Sequence, residues 1–238
     1  MKKFIFIFLT IIVAQSIVIA QVNTLTPKEE KQGWKLLFNG NNLDGWTSVG
    51  KDTPPTNGWE VKDGILTVNA EGSRRGGDII TKEQFSDFEF SIDFNISEGA
   101  NSGIKYFFFR YQQGGWLGLE YQVLDDNRHP DAKMGRDGNR LQGGLYDMFA
   151  PSPKKKDNPP GQWNQARIVA KGSKVTHYLN GKKVLSFDRK SETYKKAWEL
   201  SKFNKSVPMF GDIEKGHILL QDHEDRVSFR NIKIKVLK

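Results

Sequence analysis

Between Phe88 and Ile96 every second residue is large and apolar: Phe88, Phe90, Ile92, Phe94 and Ile96 alternate with Glu89, Ser91, Asp93 and Asn95. A repeat of two sends neighbouring side chains to opposite faces, so this segment is a strand with one face in a core. Beyond the Asn101-Ser102-Gly103 break, residues 104–110 are so aromatic that both faces of a second strand must be at least partly covered. Residues 167–171, 174–179 and 182–187 read as three strands joined by a Gly172-Ser173 turn and an Asn180-Gly181 turn. Asn-Gly supplies the positive φ values of a type I′ hairpin, which match strand twist. Residues 217–221 and 227–236 close the chain around a polar turn at residues 223–225. Short strands punctuated by Gly, Asn, Asp and Pro predict an all-β sandwich of two antiparallel sheets. Only residues 192–201, with Tyr194, Ala197, Trp198 and Ser201 at helical spacing, predict a short helix. Pro151, Pro153, Pro159 and Pro160 make residues 150–161 a surface loop.

The first twenty residues read as an address rather than as part of this fold. Lys2 and Lys3 precede an apolar run over residues 4–20, with Val18 and Ala20 as the small residues before a cut. That is the order of a secretory signal peptide. A single membrane span is the alternative, but Gln15 and Ser16 interrupt the run, so the expectation is a periplasmic or extracellular protein with no span left after cleavage. Residues 21–32 would then be a linker and residues 33–238 one domain. The sequence has no Cys, which removes lipid attachment, disulfides and thiolate metal sites. The formal charge of +8 falls to about +6 without Lys2 and Lys3, and the remaining cations are scattered. They describe a solvated basic surface and no nucleic-acid partner. Nucleophile-elbow, phosphate-loop, His-Glu-x-x-His and dinucleotide motifs are all absent from the sequence.

The chemistry-bearing residues gather in a few places. Strand geometry over residues 118–125 puts Glu120 and Gln122 on one face, with Asp125 near the end. This spacing resembles the Glu-x-Asp-x-x-Glu signature of laminarinase-type glucanases, whose outer carboxylates act as nucleophile and acid. Here the middle acid is Gln122, which puts the ordinary retaining mechanism in doubt. Lys105 stands among Tyr106, Phe107, Phe108 and Phe109, where a cation is costly to bury unless it points into a cleft. His223, where a strand leaves the sheet, is suited to proton transfer. His129 sits in an acidic loop that could hold a divalent metal ion or orient a sugar hydroxyl, although Asp residues beside Pro are also ordinary turn formers. Trp116 could form an aromatic platform at the rim for a sugar ring, with Arg110 and Gln221 as further contacts.

Several stretches together resemble the 3-keto-disaccharide hydrolase family. They are residues 33–40 and 43–46, 77–80, Asn101-Ser102-Gly103-Ile104-Lys105, Glu120-Tyr121-Gln122, Leu145-Tyr146-Asp147, Trp163-Asn164-Gln165-Ala166-Arg167, Leu179-Asn180-Gly181, Gln221-Asp222-His223 and Phe229-Arg230-Asn231-Ile232. The resemblance implies a concanavalin A-like jelly roll and cleavage of glycosides already oxidised at sugar carbon 3. It implies Glu120 and His223 as base and acid in either order, with Lys105 or a divalent cation at the enolate. Gln122, Asp125, His129 and Tyr146 would orient hydroxyls. A carbohydrate-binding module without catalysis would use the same aromatic cleft, and a laminarinase-type glucanase would need Asp125 as a working carboxylate.

Overall fold

The computed structural model describes residues 22–69, 76–112, 115–205 and 210–238. The proposed signal peptide lies outside them. The Phe-rich alternating segment is strand β6 (Phe88–Ile96), and its apolar residues are almost wholly buried. Before it come β1 (Trp34–Leu36), β2 (Trp46–Ser48), β3 (Trp59–Lys62), β4 (Ile65–Val68) and β5 (Ile79–Thr81). After it come β7 (Asn101–Tyr111), β8 (Gly115–Leu124), β9 (Asn164–Lys171), β10 (Lys174–Leu179), β11 (Lys182–Asp188), β12 (His217–Leu220) and β13 (Val227–Val236). The larger sheet runs β11-β10-β9-β6-β13-β4-β3, with β1 also on β13, and the smaller runs β2-β5-β12-β7-β8. Among the described residues every strand pairing is antiparallel. This is the concanavalin A-like jelly-roll sandwich.

The two sheets meet through Phe88, Phe90, Ile92 and Phe94 from one side and Ile104, Tyr106, Leu119 and Tyr121 from the other. Such side chains contribute about 1.5–3 kcal/mol each when fully buried. Phe107 holds a left-handed φ of 49°, unusual for a bulky residue, and the β7–β8 register shifts beside it. The shift turns Tyr106 and Phe107 both inward and puts Phe108 on the outer face. That is how an all-aromatic strand covers both of its sides. His177 sits wholly inside, its Nδ1 3.0 Å from the Gly143 carbonyl and its Nε2 2.8 Å from the Tyr106 hydroxyl. Burial pulls its pKa down to about 4, so it is neutral and ties the 143–145 segment to the core.

Residues 22–32, read as a linker, are docked on the sheet instead. Asn23 exchanges two 2.8 Å backbone-to-side-chain bonds with Asn231 and donates to the Gly64 carbonyl at 2.7 Å. A short helix α1 (Pro27–Lys31) follows, started by a Thr26–Glu29 capping box with Pro27 at its first turn. The helix expected near residue 192 is α2 (Glu192–Glu199), capped by Ser191. Among the described residues no helix is long and apolar enough to cross a membrane.

Candidate active site

Ile104, Tyr106, Leu119, Tyr121, Ile218 and Leu220 point into the core, so alternate residues of the same strands face outward from the smaller sheet. Strand register sets them in rows. Thr47, Ile80, Leu219, Lys105 and Glu120 form one row across β2, β5, β12, β7 and β8. Gly103 and Gln122 form the next. The two charges that sequence reasoning singled out are therefore direct cross-strand partners, with Lys105 Nζ 3.7 Å from Glu120 Oε2.

Glu120 lies across Gly103. A Cβ at residue 103 would overlap Glu120 Oε1 and would stand 2.8 Å from Cδ and 3.0 Å from Cγ. Glycine is needed there for space, because its φ is not left-handed. Glu120 keeps 9% of its side chain exposed, and Lys105 keeps 19%. Burial raises the Glu120 pKa above the ordinary carboxylate range; Lys105, Lys202 and His223 pull against that rise, and Asp78 adds to it. An ion pair 3.7 Å long is too loose to offset the lost hydration.

Tyr146 is fixed beside Glu120 by its own backbone N–H, which donates to the Glu120 carbonyl at 3.0 Å. Lys202 Nζ donates to the Tyr146 hydroxyl at 3.1 Å and lies 4.2 Å from the centre of its ring. Arg140 stacks 5.2 Å from the same ring and binds Asp131 and Asp147 at 2.6 and 2.8 Å. Lys202 follows α2 in the 3-10 turn Lys202–Lys205, anchored by its N–H to Asp147 Oδ2 at 2.7 Å. Loss of solvent lowers its pKa, against the pull of Glu120. A cleft of about 560 Å3 opens beside it, lined by Arg136, Asn139, Arg140 and Asp147. A second cleft, of about 480 Å3, lies at the far end of the sheet, lined by Ile80, Arg110, Trp116 and His217.

A buried carboxylate beside a lysine, on the outer face of a β-sandwich, is compatible with many reactions. The family described as the 3-keto-alpha-glucoside-1,2-lyase-like domain matches residues 33–235. The chain belongs to that family. This lyase-like domain is 33% identical to a 3-keto-disaccharide hydrolase of Bacteroides thetaiotaomicron, over 94% of this chain and 85% of that protein. A candidate glycosyl hydrolase from Parabacteroides distasonis superposes with a TM-score of 0.78 at 31% identity, covering 92% of this chain and 100% of the other. At the level of fold alone, the κ-carrageenase of Zobellia galactanivorans superposes with a TM-score of 0.50 at 9% identity, over 86% and 92% of the two chains.

The other expected site residues of the lyase-like domain do not all converge. Asp125 is buried in the loop after β8 and accepts the amides of Gly99 and Asn127 at 2.8 and 3.1 Å and Arg128 at 3.3 Å. Burial would raise its pKa, yet those donors hold it below the usual range, so it is a loop staple rather than a group turned toward substrate. Gln122 is fully buried, donating to Asn101 Oδ1 at 3.4 Å, and so presents no surface for a hydroxyl. Gln221 continues the outward row beside Gly103, joined through its N–H to the Gly103 carbonyl at 3.0 Å. Trp116 stacks on Phe108 at 5.5 Å, next to Arg110, roughly 13 Å along the strand from Glu120. His223 stands at the rim, 44% exposed, with His129 beside it at 6.1 Å between ring centres. Of the remaining tryptophans, Trp46 is core and Trp163 is covered by Arg230 at 4.1 Å. Lys202 and Asp78 were missed. Asp78 lies in the 77–80 stretch that carries the family resemblance, whereas nothing local marks Lys202.

Proposed function

We propose that this protein cleaves 3-keto-glycosides by elimination followed by hydration, with Glu120 as the base. The observation that carries the reading is a buried carboxylate with a raised pKa whose cross-strand partner is a lysine 3.7 Å away. A ketone at sugar carbon 3 acidifies the hydrogen on carbon 2, which lets a carboxylate remove it. Glu120 takes that proton, and the electron pair passes to the carbon 3 oxygen as an enolate beside the Lys105 ammonium. The enolate collapses to the ketone, a double bond forms between carbons 1 and 2, and the bond to the glycosidic oxygen breaks. Lys202, held on Tyr146, supplies the leaving oxygen with its proton. Water then adds at carbon 1, giving its second proton to the Lys202 amine, and the proton on Glu120 returns to carbon 2. The elimination alone accounts for a lyase-like family, and both halves together account for a relative described as a hydrolase.

Support against the glucanase alternative comes from Asp125, which its loop amides already engage. The protein's place outside the cytoplasm, in the periplasm or beyond, belongs to the same reading and rests on the N-terminal sequence. The test is incubation of the purified protein with a 3-keto-disaccharide and with its unoxidised parent, following released sugar. Turnover of the keto form alone, lost in Glu120→Gln and strongly reduced in Lys202→Met, is expected. Cleavage of the unoxidised sugar, or full activity of Glu120→Gln, would overturn the proposal. Saturable glycan binding with no product from either substrate would mark a lectin-like module instead.

A further inference from the structure

Chain segments nearly a hundred residues apart deliver His129, His223 and Asp225 to one point. One ligand-capable atom from each lies within 4.8 Å of the other two. The two rings meet edge to face at 81°, and His223 Nδ1 is 3.8 Å from Asp225 Oδ2. Backbone contacts hold the trio in place. Asp225 Oδ2 accepts the Asn101 amide at 2.9 Å, and His129 Nδ1 accepts the Asp131 amide at 3.1 Å. Asp222, just before His223, accepts the amides of Gly76 and Gly77 and that of Glu224, which fixes the turn.

We propose that His129, His223 and Asp225 bind one divalent transition-metal ion on a single face, leaving its remaining positions for water or a ligand. Two imidazoles and one carboxylate suit zinc, cobalt, nickel or manganese better than magnesium or calcium, which prefer all-oxygen sites. Ligand bonds of about 2.1 Å put neighbouring donors about 3 Å apart, so the trio closes by small rotations of side chains already at the surface. Closure also has a local cost. The single lone pair that a neutral imidazole offers is engaged at His129 Nδ1 by the Asp131 amide, so ligation by either ring nitrogen displaces that bond. On the keto-glycoside reading, and only there, the ion would polarise the carbon 3 carbonyl as a Lewis acid alongside Lys105.

The test is calorimetric titration of chelator-stripped protein with cobalt, zinc and manganese chlorides, and with magnesium and calcium chlorides as contrast. One ion per chain is expected for the transition metals, weakened at least tenfold in His129→Gln and Asp225→Asn and unchanged in His217→Ala. The Asp131 amide resonance should shift on addition of zinc. Absence of saturable one-to-one binding, or binding indifferent to His129→Gln and Asp225→Asn, would overturn the site. Stripped protein that binds no ion but still turns over a 3-keto-disaccharide would remove the metal and leave the reaction standing. Protein that binds cobalt through these residues but releases no sugar would keep the site and remove the reaction.

Discussion

Two glutamates on opposite outer faces of the sandwich have opposite fates. Glu89, on β6 in the larger sheet, is gripped by Arg167 at 2.7 Å and Lys235 at 2.5 Å. Burial pushes its pKa up, but those two cations bring it below the normal range. Glu120, on β8 in the smaller sheet, has one cation 3.7 Å away and a raised pKa. The larger sheet's outer face carries further compensated pairs, such as Arg230 on Asp93 and Lys233 on Glu29. One face uses its charges to hold strands together, and the other keeps a buried carboxylate with a raised pKa beside a single lysine. That contrast, rather than any motif, points to Glu120.

The comparison breaks first at the two glutamates themselves. Glu120→Gln should lower kcat/KM on a 3-keto-disaccharide by about 1,000-fold, in the range for a lost general base. Its melting temperature should hold or rise, because a costly buried charge is gone. Glu89→Gln should keep turnover within about twofold and lose about 1 kcal/mol of stability, because its partners return to water. Calorimetry and progress curves on both variants check this, and the reverse pattern would dissolve the distinction.

Acid should separate the core from the site. His177 is neutral when folded, with a pKa of about 4, but takes a proton near 6.5 when unfolded. The unfolded chain therefore binds the proton first, and stability falls as pH drops from about 6.5 toward 4, by about 3 kcal/mol in all. Urea melts at several pH values measure this loss. Activity that disappears on acidification while circular dichroism is unchanged would report protonation of Glu120, whose pKa burial raises.

Gly103→Ala is a finer probe, because the backbone there accepts alanine and the only clash is with Glu120. Displacing the carboxylate by about 1 Å should cost up to about 100-fold in kcat with the fold retained. Wild-type melting behaviour together with wild-type kcat would show that the Glu120 position is not critical. Last comes Lys105→Met, which takes away the cation proposed at the enolate and, in the pH profile, the one that restrains the Glu120 pKa. The acid limb of the kcat/KM profile should move to higher pH, and a downward move would contradict the coupling.

Much of the fold was legible because period-two burial is a strong signal. Phe88–Ile96 and the three strands around Asn180-Gly181 appear where alternation and turn chemistry place them. Residues 22–32 were misjudged, since a short polar segment gives no hint of the Asn23–Asn231 bonds that dock it. At the site, Lys105 was readable as a cation among aromatic residues, and Glu120 as an acid sharing a polar strand face with Gln122. Asp125 was not, because spacing cannot tell a carboxylate aimed at a groove from one already capped by loop amides. Lys202 reaches Tyr146 from a turn some eighty residues beyond Glu120, a meeting only the folded chain creates.

Lys105 and Glu120 face each other across a hairpin, fifteen residues apart in sequence. Such a contact closes with little loss of chain entropy, and hairpins form in microseconds. The sandwich as a whole has to wait for β13 to find β6 from far along the chain. The charged pair should therefore assemble early, with pulse-labelled β7 and β8 amides protected ahead of those in β13. In this molecule the charged pair is among the most local of strand contacts, and the scaffold around it is the slow, long-range part.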